Sequence, residues 1–257
     1  MTDGIVDFCH AGDNMFRVWR AASERTVSEP FQSDINKSSP ASGLIDRELL
    51  ELKGTGFYPY RKQLARGDIL LLYSDGMEDP IHRFRDETGV VRKCTELPGA
   101  EDVHPHHDRD AEAEHLGPDR LDEYIEAYDK REVFHLHHDH ESDRDLKMSF
   151  DFTKAEGSLE ERVVAYLAVG KVFSIYDWKA GDEEAILVDK RIDSFLKRCF
   201  DQYDIVFRKR ETIEIKSGRQ DASGKEILIE DPNYVRFRGI KEDEQYDDLS
   251  IAGILRK

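Results

Sequence analysis

The sequence predicts a single α+β domain over residues 1–257, and three observations predict it. Short apolar runs at Ile69-Leu70-Leu71-Leu72-Tyr73 and Ile251-Ala252-Gly253-Ile254-Leu255 fit buried strands. Apolar residues recur at helical spacing over 118–131, 158–173 and 188–203. Two further strand-like stretches, 204–216 and 226–238, flank a turn at Ser217–Gly224.

Each element has a local reason. Over 4–20, two short strands are separated by His10-Ala11-Gly12-Asp13-Asn14, a break that suits a hairpin. Residues 21–43 are polar and read as a loop. Strand character returns over 56–73, interrupted by a polar turn at Gln63–Gly67. Ile69–Tyr73 is apolar without alternation, as a strand buried on both faces is, and it stops at Ser74-Asp75-Gly76. Pro118 suits a first helical turn, with Leu121, Tyr124, Ile125 and Tyr128 on one face. Ser158 followed by Glu161 is a capping box, opening a helix through Val163, Val164, Leu167, Val169 and Phe173. Val188, Ile192, Phe195, Leu196 and Phe200 predict the next helix. Val206, Ile213 and Ile215 are expected to pair with Ile227 and Ile229. No internal repeat is present.

Composition narrows function. The chain has 55 Asp and Glu against 38 Lys and Arg, a formal net charge of -17. That charge opposes non-specific binding to nucleic acid and to anionic membranes. No apolar run reaches the length of a spanning helix. The opening MTDGIVDFCHAGDN has no basic segment followed by an apolar run, so it is not read as a signal peptide. Cys9, Cys94 and Cys199 are too dispersed for a disulfide framework or a zinc ligand set, and a reducing cytoplasm is the expected location.

Clustered carboxylates can hold hard divalent cations. Asp75 directly follows an apolar strand, and Asp247-Asp248 precede another. A carboxylate at the end of a core strand stands on a rigid element within reach of solvent. Two such ends side by side would make a site for Mg²⁺ or Mn²⁺, which need one or two carboxylates each and keep several waters. Gly76 would let the backbone approach an ion closely.

The stretch Gly67-Asp68-Ile69-Leu70-Leu71-Leu72-Tyr73-Ser74-Asp75-Gly76-Met77-Glu78-Asp79 closely resembles the signature strand of SpoIIE-type phosphatases. These are members of the metal-dependent (PPM) serine/threonine phosphatase family. Asp247-Asp248-Leu249-Ser250-Ile251, with Arg256 beyond it, looks like that family's last motif, and His10-Ala11-Gly12-Asp13-Asn14 is similar to its Asn-Ala-Gly-His segment. The resemblance covers about 5–20, 65–80 and 240–257. It implies an antiparallel β-sandwich flanked by helices, with two Mn²⁺ or Mg²⁺ ions bridged by a water that attacks phosphoserine or phosphothreonine. By position it makes Asp75 and Asp247 the candidate catalytic residues, and Asp75, Gly76, Asp247 and Asp248 the candidate metal set. The implied substrate is a phosphorylated regulatory protein, such as an anti-sigma-factor antagonist, under control of an upstream sensor domain.

Two departures from the family shape the expectations. Its domain begins well before the Asn-Ala-Gly-His segment and contributes a further metal-binding aspartate there. The chain is therefore expected to correspond to the C-terminal part of the domain, incomplete at its N-terminus and poorly active alone. Asp75 and Asp247 are also much farther apart than the family's motifs, and Asp13 stands where the family has His. Residues 1–80 and 201–257 are thus read as the sheet-forming core, and 81–200 as an insertion with helices.

That insertion holds eight of the ten histidines between 104 and 140, among them His104, His106, His107, His135, His137, His138 and His140. If 135–139 is a strand, His135, His137 and Asp139 share a face. The segment reads as a polar insertion, a transition-metal site or a pH sensor, and the sequence leaves these open. A non-catalytic module that binds a phosphoprotein through the same surface is the alternative to an enzyme.

Overall fold

A computed structural model describes residues 4–9, 15–21, 59–86, 88–96, 111–136, 148–177, 185–243 and 249–257. Its strands are β1 (Ile5–Cys9), β2 (Met15–Trp19), β3 (Pro59–Gln63), β4 (Ile69–Tyr73), β5 (Ile81–Arg83), β6 (Ala113–His115) and β7 (Val133–His135). They continue with β8 (Ser149–Asp151), β9 (Ile175–Asp177), β10 (Ala185–Asp189), β11 (Arg210–Gln220), β12 (Glu226–Arg238), β13 (Ile240–Glu242) and β14 (Ile251–Leu255). The α-helices are α1 (Gly117–Lys130), α2 (Leu159–Phe173), α3 (Lys190–Cys199) and the single turn α4 (Tyr203–Val206). The class is mixed α+β, with small sheets that are all antiparallel.

β4 is the organising strand. It lies between β14 and β2, and the run Ile69–Tyr73 is buried at every position but Leu72. Leu70 and Val18 form one apolar cluster with Val6 of β1 and Leu64, joined by Leu72 and Ile254. On the opposite face Ile69, Leu71 and Tyr73 join a larger core with Trp19 and the helices. The paired strands β1 and β3 therefore back one face of the β14-β4-β2 sheet, while α2 covers the other. At Gly253 a Cβ would meet Leu159 and Val163 of α2 at 3.1 and 3.3 Å, so a side chain there would hold the helix off the sheet.

The hairpin expected over 4–20 is not formed. Both strands exist, but β1 pairs with β3 and β2 pairs with β4. Their apolar residues, Val6 and Val18, instead face each other across the small cluster between the two layers.

The helices form where the spacing places them. In α1 Leu121, Tyr124, Ile125 and Tyr128 are all buried, and Pro118 lies in the first turn. The Tyr124 ring meets Phe134, Phe150 and Phe152 edge-on at 5.0–5.3 Å, and its hydroxyl donates to the Ala165 carbonyl at 2.7 Å. Each such buried ring contributes roughly 1.5–3 kcal/mol through burial. Ser158 caps α2, its Oγ accepting from the Glu161 N–H at 3.0 Å. The Glu161 carboxylate reaches back to the Glu156 N–H, two residues before the cap, in a variant of the expected box.

Two boundaries differ from the sequence reading. Val188 lies in β10, because Ile186 and Val188 are buried while Ala185 and Leu187 are exposed, a period of two. The helix starts after Asp189, whose carboxylate accepts from the Arg191 N–H at 2.7 Å. Val206 lies in α4, so it has no place opposite Ile227 or Ile229. Tyr203, Val206 and Phe207 turn into the core before β11 begins at Arg210. The expected pairing of Ile215 with Ile229 is present.

Candidate functional site

The two strand ends singled out in the sequence adjoin. β4 and β14 run antiparallel with Tyr73 opposite Ile251, which places the exit of one beside the entry of the other. The Ser74 N–H donates to the Ser250 carbonyl, and the Ser250 N–H to the Ser74 Oγ, both at 3.0 Å. Asp75 opens a one-turn 3-10 helix over Asp75–Met77, held by a Met77 N–H bond to the Ser74 carbonyl at 3.0 Å. Gly76 and Met77, the other two residues of that turn, are buried. Asp247 and Asp248 lie outside the described residues.

The residues flanking 244–248 are fixed, and both anchors reach the chain just after Asp75. On one side Asp243 is buried. Its carboxylate accepts from the Arg83 N–H at 2.9 Å and is ion-paired with Arg85, while its own N–H donates to the Ser174 carbonyl. The Arg85 guanidinium also stacks on Tyr176, 3.5 Å from the ring centre. On the other side Leu249 packs on α2 at Gly170, where a Cβ would sit 3.0 Å from Leu249 Cδ2 and 3.8 Å from Pro80. Residues 74–85 thus contact both ends of the segment that carries the aspartate pair.

A buried polar network, which the sequence reading missed, underlies the Asp75 turn. Arg17 of β2 donates from Nε to the Tyr73 hydroxyl and from Nη2 to Glu78 Oε1 at 3.2 Å, and is ion-paired with Asp122 of α1. The Tyr73 hydroxyl in turn donates to Glu78 at 2.7 Å. Tyr73 and Glu78 bracket Asp75, so the turn is closed from below. Burial, with the Glu78 charge, pushes the Tyr73 phenol well above its ordinary pKa against the pull of Arg17, and it remains a donor at neutral pH. The signal in the sequence was an arginine at the centre of an apolar strand, Phe16-Arg17-Val18, a placement that demands a buried partner.

The network bears on which groups are available to a cation. Glu78 and Asp122 are engaged by Arg17 and so are not free donors. Among the described residues, no group of three or more His, Cys, Asp or Glu is arranged to hold a metal. Of the histidine-rich segment, His104, His106, His107, His137, His138 and His140 lie outside the described residues, and His135 is an exposed residue of β7. Cys94 and Cys199 are buried and in no disulfide, and burial pushes the Cys199 thiol up to about 11, which disfavours its thiolate. Among the described residues no helix is long and apolar enough to cross a membrane. In comparisons with known proteins the chain matches no family model, no curated sequence and no solved structure.

Proposed function

We propose that the protein is a metal-dependent phosphoprotein phosphatase of the SpoIIE type, acting on phosphoserine or phosphothreonine of a regulatory protein, with a PPM-like sandwich as its fold. One observation carries the reading. The exit of β4 and the entry to β14, far apart in sequence, are hydrogen-bonded neighbours, and the segment bearing Asp247-Asp248 is anchored at both ends against residues 74–85. Asp75, Asp247 and Asp248 would hold Mn²⁺ or Mg²⁺, which supplies an activated water and stabilises charge on the phosphate. The chain's own part is positional. Tyr73, Glu78 and Arg17 fix the Asp75 turn, and Asp243 and Leu249 fix the chain on either side of the aspartate pair.

The test is Mn²⁺ binding, followed by electron paramagnetic resonance of the free ion, together with hydrolysis of p-nitrophenyl phosphate. Mn²⁺ binding with weak Mn²⁺-dependent turnover is expected of the chain alone, and both are expected to be lost in Asp75→Asn and Asp247→Asn. Wild-type binding and turnover in both variants would overturn the assignment. A second reading, a non-catalytic module that binds a phosphoprotein, is favoured by Arg17 neutralising the nearby carboxylates Glu78 and Asp122. It predicts retention of a phosphorylated partner with no turnover at any Mn²⁺ concentration.

A further inference from the structure

β11 and β12 form an arm that extends past β10. β10 pairs with β12 at Tyr234–Arg238, so among the described residues β11 is the one strand paired with β12 before Tyr234. The arm is amphipathic. Ile215 lies opposite Ile229, and the period of two puts Ile213 and Ile227 on the same face. Ile227 and Ile229 are 40% and 45% exposed, and Ile213 and Ile215 are half-buried. Glu214, Lys216, Glu230 and the exposed Leu228 take the other face. β11 is the last strand of its sheet, and among the described residues nothing pairs with its outer edge. An isoleucine face beside an open strand edge is a surface shaped for strand addition.

The charges along β11 select the occupant. In a two-fold antiparallel pairing with the same face up, Ile215 opposite Ile215 puts Glu214 against Lys216 of the second copy, twice. Centring on Glu214 or Lys216 sets like charges directly opposite, which is destabilising. Centring on Ile213 sets Arg210 against Lys216, and centring on Ser217 pairs no opposite charges. The strand carries three basic and two acidic residues in a chain of net charge -17, so its edge is where two copies can approach without repulsion. Lys216 already pairs with Glu226 at 2.9 Å, and an ammonium has donors to hold both carboxylates.

We propose that the protein forms a two-fold dimer in which β11 pairs antiparallel with β11 of a second copy, Ile215 opposite Ile215. The two three-stranded sheets become one of six strands, and the isoleucine faces of both arms become continuous. The phosphatase reading is not needed for this.

Two charge reversals test it by sedimentation equilibrium of the full chain. The wild type is expected at twice 29.8 kDa. Glu214→Lys and Lys216→Glu each set like charges opposite across the axis, and each is expected to weaken the dimer by about tenfold or more. Mixing the two variants brings a lysine opposite a glutamate again at both 214–216 contacts across the axis, so a heterodimer of wild-type strength should form. This rescue on mixing also shows that both variants are folded. A wild-type monomer at high micromolar concentration overturns the proposal. So do a dimer indifferent to either reversal and a pair of variants that mixing does not restore.

Discussion

The Tyr73 hydroxyl donates a 2.7 Å hydrogen bond to the Glu78 carboxylate across the turn that carries Asp75. With Arg17 bonded to both, the exit of a core strand is closed by a buried polar clasp rather than left to the flexibility of a loop. Glu78→Ala leaves a buried guanidinium with less of its neutralising charge, and Tyr73→Phe removes one neutral donor. Urea unfolding is expected to show losses of about 3 kcal/mol for the first and about 1 kcal/mol for the second. Equal losses would mean that the charge on Glu78 contributes nothing.

Asp243 extends the same logic to the other strand end. It is 6% exposed and neutralised by Arg85, so Asp243→Ala strands a cation and frees the chain before 244–248. Expected are a stability loss of about 3 kcal/mol and weaker Mn²⁺ binding, read by unfolding and by paramagnetic titration. Unchanged Mn²⁺ affinity in the folded variant would separate this anchor from the site.

Gly170 sets the approach of Leu249. Valine at 170 would push branched carbons into a contact already at 3.0 Å, so Gly170→Val should displace Leu249. A cost of about 1–3 kcal/mol in urea unfolding is expected, despite the better helix propensity of valine over glycine.

The pH dependence should carry the signature of Asp68, which is fully buried at the start of β4. Burial raises its pKa, but hydrogen bonds from Arg20, Ala21 and Ala65 outweigh this and hold it below the usual carboxylate range. A depressed native pKa stabilises the fold at pH values above the unfolded pKa, and that contribution is lost as pH falls through the native value. Stability measured from pH 6 downward should therefore decline below about pH 4, less steeply in Asp68→Asn. Identical slopes would exclude Asp68 as a source of acid sensitivity.

Ser158 offers a local control. Ser158→Ala removes the acceptor for the Glu161 N–H and is expected to cost about 1 kcal/mol by thermal or urea unfolding, with the dimer and the strand ends intact.

What the sequence made legible follows from the range of the interactions involved. β4 was readable because five consecutive apolar residues fit only a strand covered on both faces, and the Val6–Leu70 cluster and the helical core supply those covers. α1 and α2 were readable from spacing and a cap. The partners of β1 and β2 were not, because a Gly-Asp-Asn break describes a local turn, whereas strand choice is decided by contacts with residues 59–73. Arg17 was visible as a polar residue in an apolar strand. Its companions were not, since Glu78 and Asp122 arrive from distant elements. Asp75 stands at the exit of β4 beside the entry to β14, while Asp247 and Asp248 lie outside the described residues.

The pairing of Tyr73 with Ile251 joins segments separated by most of the chain. Closing so long a loop is entropically slow, whereas α1, α2 and the β11–β12 ribbon can form from near neighbours. The most C-terminal of the described strands is therefore the one that completes the sheet around β4. During refolding, helical ellipticity should recover before Mn²⁺ affinity, and a nascent chain would hold its aspartates apart until β14 has docked.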